Sequence, residues 1–346
     1  MKIITNSSVN EFLNKTLTRD SLHDKFLPTL LSSLTNYALN PNEIVPPRTV
    51  QSTNNPKANI SHIYMPCISP NEVGIKIISG GPSNNEKGLG FQGCVLILNE
   101  LTGELQGILN ATTLTAFRTA LASCLGLVKI IESQSILPEL CVFGVGLQAY
   151  WHVKLSLLLY PQVKQVNIIN RTLKNAQSLS QKLASEFASI NFNAFSYEDE
   201  NIFINHVRNS SIIFGCTPST TPIIKQNYIN KDKKWPVFIS LIGSYKPHMI
   251  ELDLKVINEL KSMHVSIIVD SKEHTLAESG ELIQSNCTKE DLIEIHELYK
   301  SDNFKVRDVD TNLTVQKIVG LSVMDLSIGK LIYEEIGQDA VEMDNF

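Results

Sequence analysis

Three cations stand among neighbours that do not suit a charge. Lys76 is flanked by Ile75 and Ile77 in a stretch that alternates as a β-strand does. A partly buried amine there would have a lowered pKa and could pass protons or hold a carboxylate. A lysine on a solvated sheet face is the other reading, and composition alone favours it. Arg118 lies between Phe117 and Thr119 in an apolar helical stretch. A guanidinium in such a face pairs with an anion, either a structural carboxylate or a bound substrate. Arg48 follows Pro46 and Pro47, whose restricted backbone could hold it still.

The second chemical signal is carried by backbone. Leu140 to Ala149 reads as an apolar strand, a glycine turn and a helix start, which offers N–H groups to a pyrophosphate. Gly144 would permit the tight turn, and Gly146 would let the backbone approach phosphates without a Cβ in the way. Val145, Leu147 and Gln148 share that loop. A mostly apolar helix, Tyr150 to Leu159, follows, and Gln165 to Ile169 reads as the next strand.

That strand ends in Asn170-Arg171-Thr172, about 25 residues past the glycines, where a dinucleotide fold reads the adenosine ribose. There is no acid for a 2′-hydroxyl. Arg171, with Asn170 and Thr172, offers donors suited to a 2′-phosphate, so NADP(H) is expected ahead of NAD(H). Thr172 could instead cap the following helix, and the two roles can coexist. Cys216-Thr217-Pro218-Ser219 and Ile242-Gly243-Ser244-Tyr245 end later strands. In a doubly wound sheet such loops face the ligand, which would bring Thr217 and Ile242 near a nicotinamide. Ordinary β-to-α turns are the alternative.

These residues need two kinds of scaffold. Ile60 to Ile78 alternates, with Val73, Ile75 and Ile77 on one face and Gly74, Lys76 and Ile78 on the other. Cys94 to Leu98 is a further strand, and Leu101-Thr102-Gly103-Glu104 turns it into Leu105 to Leu109. Ahead of this sheet, the chain to about Lys57 mixes short helices with irregular patches at Asn40-Pro41-Asn42 and Pro46-Pro47. Thr112 or Thr113 is expected to cap a long helix with Leu114, Phe117, Leu121, Leu125 and Val128 in register. From there strands and helices alternate, with Thr172–Phe187 as one helix and further strands at Ser211–Phe214, Pro236–Gly243 and Val265–Asp270. This predicts an α/β protein with a parallel, doubly wound sheet. A last helix, Leu321 to Ile336, follows a break and returns to the first domain. The expected domains are 1–120, completed by 315–346, and 121–314.

Composition excludes several classes. A chain of 346 residues, 43% hydrophobic, can bury a sizeable core. A net charge of −5 with no basic run argues against nucleic acid as partner. No stretch is expected to reach bilayer-spanning length, and Met1 to Asn6 lacks the apolar core of a secretory signal, so a soluble cytoplasmic protein is expected. The six cysteines show no C-x-x-C pair and no metal-ligand spacing, so free thiols and no metal site are expected. The eight histidines lack a catalytic partner, and no serine sits in a G-x-S-x-G elbow.

In order along the chain, the pieces resemble the ornithine cyclodeaminase/mu-crystallin family. The matching runs include Met65-Pro66, Gly74-Ile75-Lys76, Leu101-Thr102-Gly103-Glu104, Leu114 to Ala120, Gly144 to Ala149, Cys216 to Ser219, Glu251-Leu252-Asp253, Val269-Asp270-Ser271 and Glu278 to Glu281. Val319-Gly320-Leu321 and Asp325 fit as well. The resemblance implies a Rossmann domain, a split substrate and dimer-forming domain, and a homodimer acting on a small amino or imino acid. It implies carboxylate binding and assistance to chemistry by Arg48, Lys76 and Arg118. It also implies cofactor contacts from Thr119, the glycine loop, Asn170-Arg171-Thr172, Thr217 and Gly320. Cyclodeaminases of the family carry aspartates where this chain has Tyr245 and Asn110, and a threonine where it has Cys94. A phenol is a poor substitute for a carboxylate at neutral pH. The expectation is therefore reduction of a cyclic imino acid or a related amino-acid oxidation. A non-catalytic NADPH binder and an ornithine cyclodeaminase are the alternatives.

Overall fold

The computed structural model describes residues 1–53, 55, 58–230, 234–337 and 340–343; Lys57 and Phe346, named above as boundaries, lie outside them. The chain forms two compact units, Met1–Thr119 with Gly320–Phe346, and Ala120–Val319.

The first unit is built on a seven-stranded sheet. Its strands are β1 (Lys2–Ile4), β2 (Thr49–Ser52), β3 (Ser61–Ile68), β4 (Val73–Gly80), β5 (Gln92–Leu98), β6 (Leu105–Asn110) and the short Val341–Glu342. They lie in the order Val341–Glu342, β1, β6, β5, β4, β3, β2. Gly103 takes a φ of +76° in the β5–β6 turn, while Asn99 Oδ1 accepts from the N–H groups of Leu101 and Thr102. Register then lines up Met65, Lys76, Val95, Leu109 and Ile4 in one row across five strands. All five are buried, so Lys76 lies at the centre of the inner face and the expected solvated position is corrected. The alternation could not decide this, because β4 carries isoleucine on both faces and so shows which residues share a face but not which face is inside.

The helix Ser322–Ile336 packs on that inner face. Leu326 closes over Gly74, where a Cβ would overlap it, and Gly329 lies against Leu109, Leu114 and Val95. Asn40-Pro41-Asn42, expected to be irregular, instead opens a short helix, Pro41–Ile44, with proline at its permitted first position.

The helix Ala111–Ile130 begins before Thr112 and is capped from Asn110, whose Oδ1 accepts from Thr112 N at 2.9 Å. Thr113 N donates instead to Asn6 Oδ1. An amide oxygen one residue outside the helix reaches the orphan N–H that a threonine within the first turn cannot. This helix is also long and apolar enough to cross a bilayer, contrary to expectation, but 83% of its apolar window is buried inside the protein. Its hydropathy is that of a core helix.

The second unit holds β7 (Glu139–Phe143), β8 (Gln165–Asn170), β9 (Asn191–Ser196), β10 (Ser210–Gly215), β11 (Val237–Leu241), β12 (Ile267–Val269), β13 (Leu292–Glu294) and β14 (Leu313–Lys317). Their order is β13-β12-β14-β11-β10-β7-β8-β9, and every pairing is parallel. This is the Rossmann-type doubly wound sheet expected from the alternation. The central strands read as continuous apolar runs because helices cover both faces. β14 falls within the stretch read above as a break, where a single short strand has no periodic partner to reveal it. One buried polar chain ties helix to sheet. His152 shares a hydrogen bond with Ser123 Oγ, which meets Ser240 Oγ, which donates to Gln316 Oε1. Burial pulls His152 down to about 4, so it is neutral there.

Candidate functional site

Within the first unit, β4, the helix Ala111–Ile130 and the helix Ser322–Ile336 each deliver one charge to a single buried point. Lys76 Nζ donates to Asp325 Oδ1 at 2.7 Å. Arg118 Nε lies 3.1 Å from the same oxygen, an ion pair without hydrogen-bond alignment, and its Nη1 reaches Met324 Sδ at 3.4 Å. Lys76 and Asp325 are 0% exposed and Arg118 is 4% exposed. Arg48, half-buried, donates from Nη2 to the carbonyl of Gly320 at 2.9 Å. Gly320 has a φ of +85°, and a Cβ there would overlap the Arg118 guanidinium, so only glycine fits.

The electrostatics follow from this geometry. Desolvation pulls Lys76 down to about 7, and the Arg118 and Arg48 charges push the same way, while the Asp325 carboxylate opposes them. Two cationic side chains, Lys76 and Arg118, meet on one oxygen of Asp325, and the charge of Arg48 also bears on Lys76. Guanidinium groups at such a point suit a carboxylate, and an amine near 7 can give or take a proton at neutral pH. Thr119 is buried, with its hydroxyl donating back to Thr115 O at 2.7 Å.

The second unit assembles the other candidates at the carboxyl ends of its strands. After β7, Gly144 has a φ of +110°, and a Cβ there would run into the carbonyl of Cys216. Its N–H donates to Ile169 O at 2.9 Å, fastening the turn to the end of β8. Gly146 is the N-cap of the helix Leu147–Leu159, makes no side-chain cap, and has open space where its Cβ would be. Val145 and Gln148 are half-buried beside it, and Leu147 is exposed. A left-handed glycine, an open second glycine and uncapped N–H groups at a helix start fit a dinucleotide pyrophosphate.

At the end of β8, Arg171 and Thr172 are exposed, and Asn170 Nδ2 donates to Thr172 O at 3.0 Å. Thr172 does occupy the N-cap position of the helix Leu173–Glu186, yet its side chain makes no capping bond. Its hydroxyl is not committed to the helix. Thr217 and Ile242 are both 8% exposed at neighbouring strand ends; Ile242 N donates to Gly215 O, and the Thr217 hydroxyl to Glu251. Tyr245 is half-buried and burial pushes its phenol up, further from a carboxylate's range.

Asp325 was named above only for its fit to a family pattern and was given no role. The reasoning applied to Arg118 would have found it, because a carboxylate inside Ser322 to Gly329 is as misplaced as an arginine inside Leu114 to Leu121. Glu251 and Glu281, both 0% exposed, were passed over in the same way.

The sequence matches the ornithine cyclodeaminase/mu-crystallin family over residues 17–340. It is 36% identical over 360 residues to an uncharacterized protein of Saccharomyces cerevisiae, covering 95% of each chain. It is 28% identical over 275 residues to a Delta(1)-pyrroline-2-carboxylate reductase of Bacillus cereus, covering 78% of this chain and 79% of that one. Among solved structures, the Thermococcus litoralis Delta(1)-pyrroline-2-carboxylate reductase in complex with NADH and L-proline superposes with a TM-score of 0.82 at 21% identity. That match covers 99% of this chain and 100% of the other.

Proposed function

This chain belongs to the ornithine cyclodeaminase/mu-crystallin family, and from that premise we propose that it reduces the C=N bond of a small cyclic imino acid with a nicotinamide dinucleotide. The observation that carries the reading is the buried meeting of Lys76, Arg118 and Asp325, with Arg48 held at Gly320. Arg48 and Arg118 take the substrate carboxylate, a bidentate pairing suited to guanidinium. The Lys76 ammonium gives the proton that the ring nitrogen takes up. When bound, the reduced nicotinamide supplies the hydride that goes to the imine carbon, leaving a secondary amine and oxidised cofactor. Gly144 to Gln148 hold the pyrophosphate, and Thr217 and Ile242 flank the nicotinamide. The curated relative named for pyrroline-2-carboxylate reduction supports this substrate class.

The test is direct. Purified protein with Δ1-pyrroline-2-carboxylate or its six-membered homologue and NADPH or NADH should consume the reduced cofactor. Tight cofactor binding with no turnover on either imine would instead identify a binding protein. Ammonia released from ornithine would identify a cyclodeaminase. The raised phenol of Tyr245 at the aspartate position speaks against that last outcome.

The exposed Arg171 at the end of β8 supports NADP(H) as the cofactor. Charge-assisted bonds to a phosphate contribute about 1.5–3 kcal/mol, so Arg171→Ala should weaken NADPH roughly 10- to 100-fold in a fluorescence titration. NADH should change less than about twofold, since it has no 2′-phosphate to lose. Equal NADPH affinity in both proteins would remove Arg171 from the site.

A second copy of the chain is assigned to the outer face of the seven-stranded sheet. There Tyr64, Pro66, Ile75, Ile77, Leu96 and Ile108 are paired neighbours and only half-buried. An uncharged apolar face is its own complement across a two-fold axis. Ile75→Lys should convert a dimer to a monomer in sedimentation velocity; an unchanged sedimentation coefficient would mean the copies meet elsewhere.

A further inference from the structure

Below the strand ends that carry Thr217 and Ile242 lies a buried polar cluster that the reaction above does not use. Glu251 Oε1 accepts from Thr217 N at 2.7 Å and from Thr217 Oγ1 at 3.1 Å. Its Oε2 accepts from Gly243 N at 2.6 Å and Ser244 N at 3.2 Å. One carboxylate thus gathers donors from the turn after β10 and from the turn after β11. Two glycines make room for it. A Cβ on Gly215 would stand 2.9 Å from Glu251 Oε1, and one on Gly243 would overlap the Thr217 backbone.

The cluster is anchored from behind. Glu251 N donates to Glu281 Oε1 at 2.7 Å, Ser244 Oγ donates to the Glu281 carboxylate at 2.7 Å, and Lys317 Nζ donates to Ser244 Oγ at 2.6 Å. Glu251, Glu281, Ser244 and Lys317 are all 0% exposed. The titratable groups facing Glu251 are Lys317 at the end of β14, Glu281, the Cys216 thiol and the Tyr197 phenol. Burial raises the last two, so both are neutral.

We propose that Glu251 is the positioning residue of the nicotinamide-binding edge: its ionised carboxylate fixes the turns at Thr217 and at Ile242-Gly243-Ser244, and dinucleotide affinity is thereby linked to its proton. This rests on the reading that the dinucleotide binds at these strand ends. Both carboxylate oxygens accept from two donors each. A proton on Oε2 meets the Gly243 and Ser244 N–H groups already pointing at it and pushes that turn away. One on Oε1 makes the Thr217 hydroxyl rotate to accept it, which removes a bond that Thr217 gave. Desolvation, reinforced by Glu281 and opposed by Lys317, raises Glu251 to about 7, which puts the change within the neutral range. Affinity therefore falls as pH drops below about 7 and levels off above it.

The test compares wild type with Glu251→Gln by NADPH and NADH fluorescence titration across neutral pH. Hydrogen-exchange protection factors are measured on the same proteins without cofactor. The expected result is roughly a tenfold or greater loss of affinity in the variant, with the wild-type pH dependence flattened. The amides of Thr217, Gly243 and Ser244 should lose protection in the variant while those of the β7 strand keep theirs. Wild-type affinity and protection in Glu251→Gln would overturn the proposal. If the variant does not fold, the wild type decides: protection at those three amides that stays flat through neutral pH overturns it, and protection that falls with acid supports it. Failure of the functional reading looks different, since no dinucleotide would bind at any pH while the exchange comparison still reports what Glu251 holds.

Discussion

Replacing Lys76 by methionine should lower kcat/KM for imine reduction by roughly 10²- to 10⁴-fold, the span that a positioned proton donor contributes. NADPH affinity should stay unchanged. Methionine fills the same space in the row formed by Met65, Val95 and Leu109, so the sheet loses a proton and a charge but little packing. The pH profile gives the second readout. Burial holds Lys76 near 7, so the ammonium is present below that pH and lost above it, and wild-type kcat should fall as pH rises through about 7. Lys76→Arg keeps the charge but cannot release its proton, so it should retain carboxylate binding and lose turnover. Steady-state rates and product-inhibition constants for the three proteins separate the roles. A Lys76→Met enzyme within tenfold of wild type would show that the proton comes from elsewhere.

The second large effect concerns stability. Asp325→Asn leaves two buried cations facing each other without their carboxylate, and breaking a buried ion pair from one side costs about 3–5 kcal/mol. Urea unfolding below the titration of Lys76, where both side chains are charged, should show a loss of that order. The sign with pH can be worked out. Lys76 already has a folded pKa below its ordinary value of 10.5, so the unfolded chain binds more protons between the two values and stability rises with pH across that window. Without Asp325 the lowering deepens, because the one charge that raised it is gone. The penalty should therefore be largest in acid and shrink as Lys76 gives up its proton. Adding Lys76→Met to Asp325→Asn removes one of the two stranded cations and should recover part of the loss. A single variant that loses less than about 1 kcal/mol below the titration of Lys76 would mean that Arg118 and Lys76 are compensated by another group.

Much of the fold is legible in the sequence, for physical reasons that differ by element. The glycine turn at Gly144 and Gly146 could be read because left-handed backbone and an open approach both restrict a position to glycine. The parallel sheet could be read because strands covered on both faces lose their alternation, as in Glu139–Phe143 and Val237–Leu241. The burial of Lys76 could not. Its strand carries isoleucines on either side of the pleat, and only the helix Ser322–Ile336, more than two hundred residues later, decides which face is dry. Asp325 is itself conspicuous in an apolar helix, but its partner is set by the same distance. Neither member of an ion pair shows its meaning until the chain brings the other to it. The Asn110 cap was missed for a local reason: two threonines just inside the helix offered a more familiar signal than the asparagine ahead of them.

The division of the chain bears on how it is made. Met1–Thr119 and Gly320–Phe346 form one unit, with Ala120–Val319 inserted between them in sequence. A ribosome therefore releases Arg48, Lys76 and Arg118 long before Asp325. Domains commonly fold in the order of their synthesis. Here the inserted unit can finish first, while the earlier one waits with its inner face open for the helix Ser322–Ile336. A nascent or prematurely terminated chain lacking that helix would carry a complete dinucleotide fold beside an unclosed sheet, with a buried-type lysine and arginine left without their counter-charge. The helix Ser322–Ile336 is what closes the inner face over Lys76.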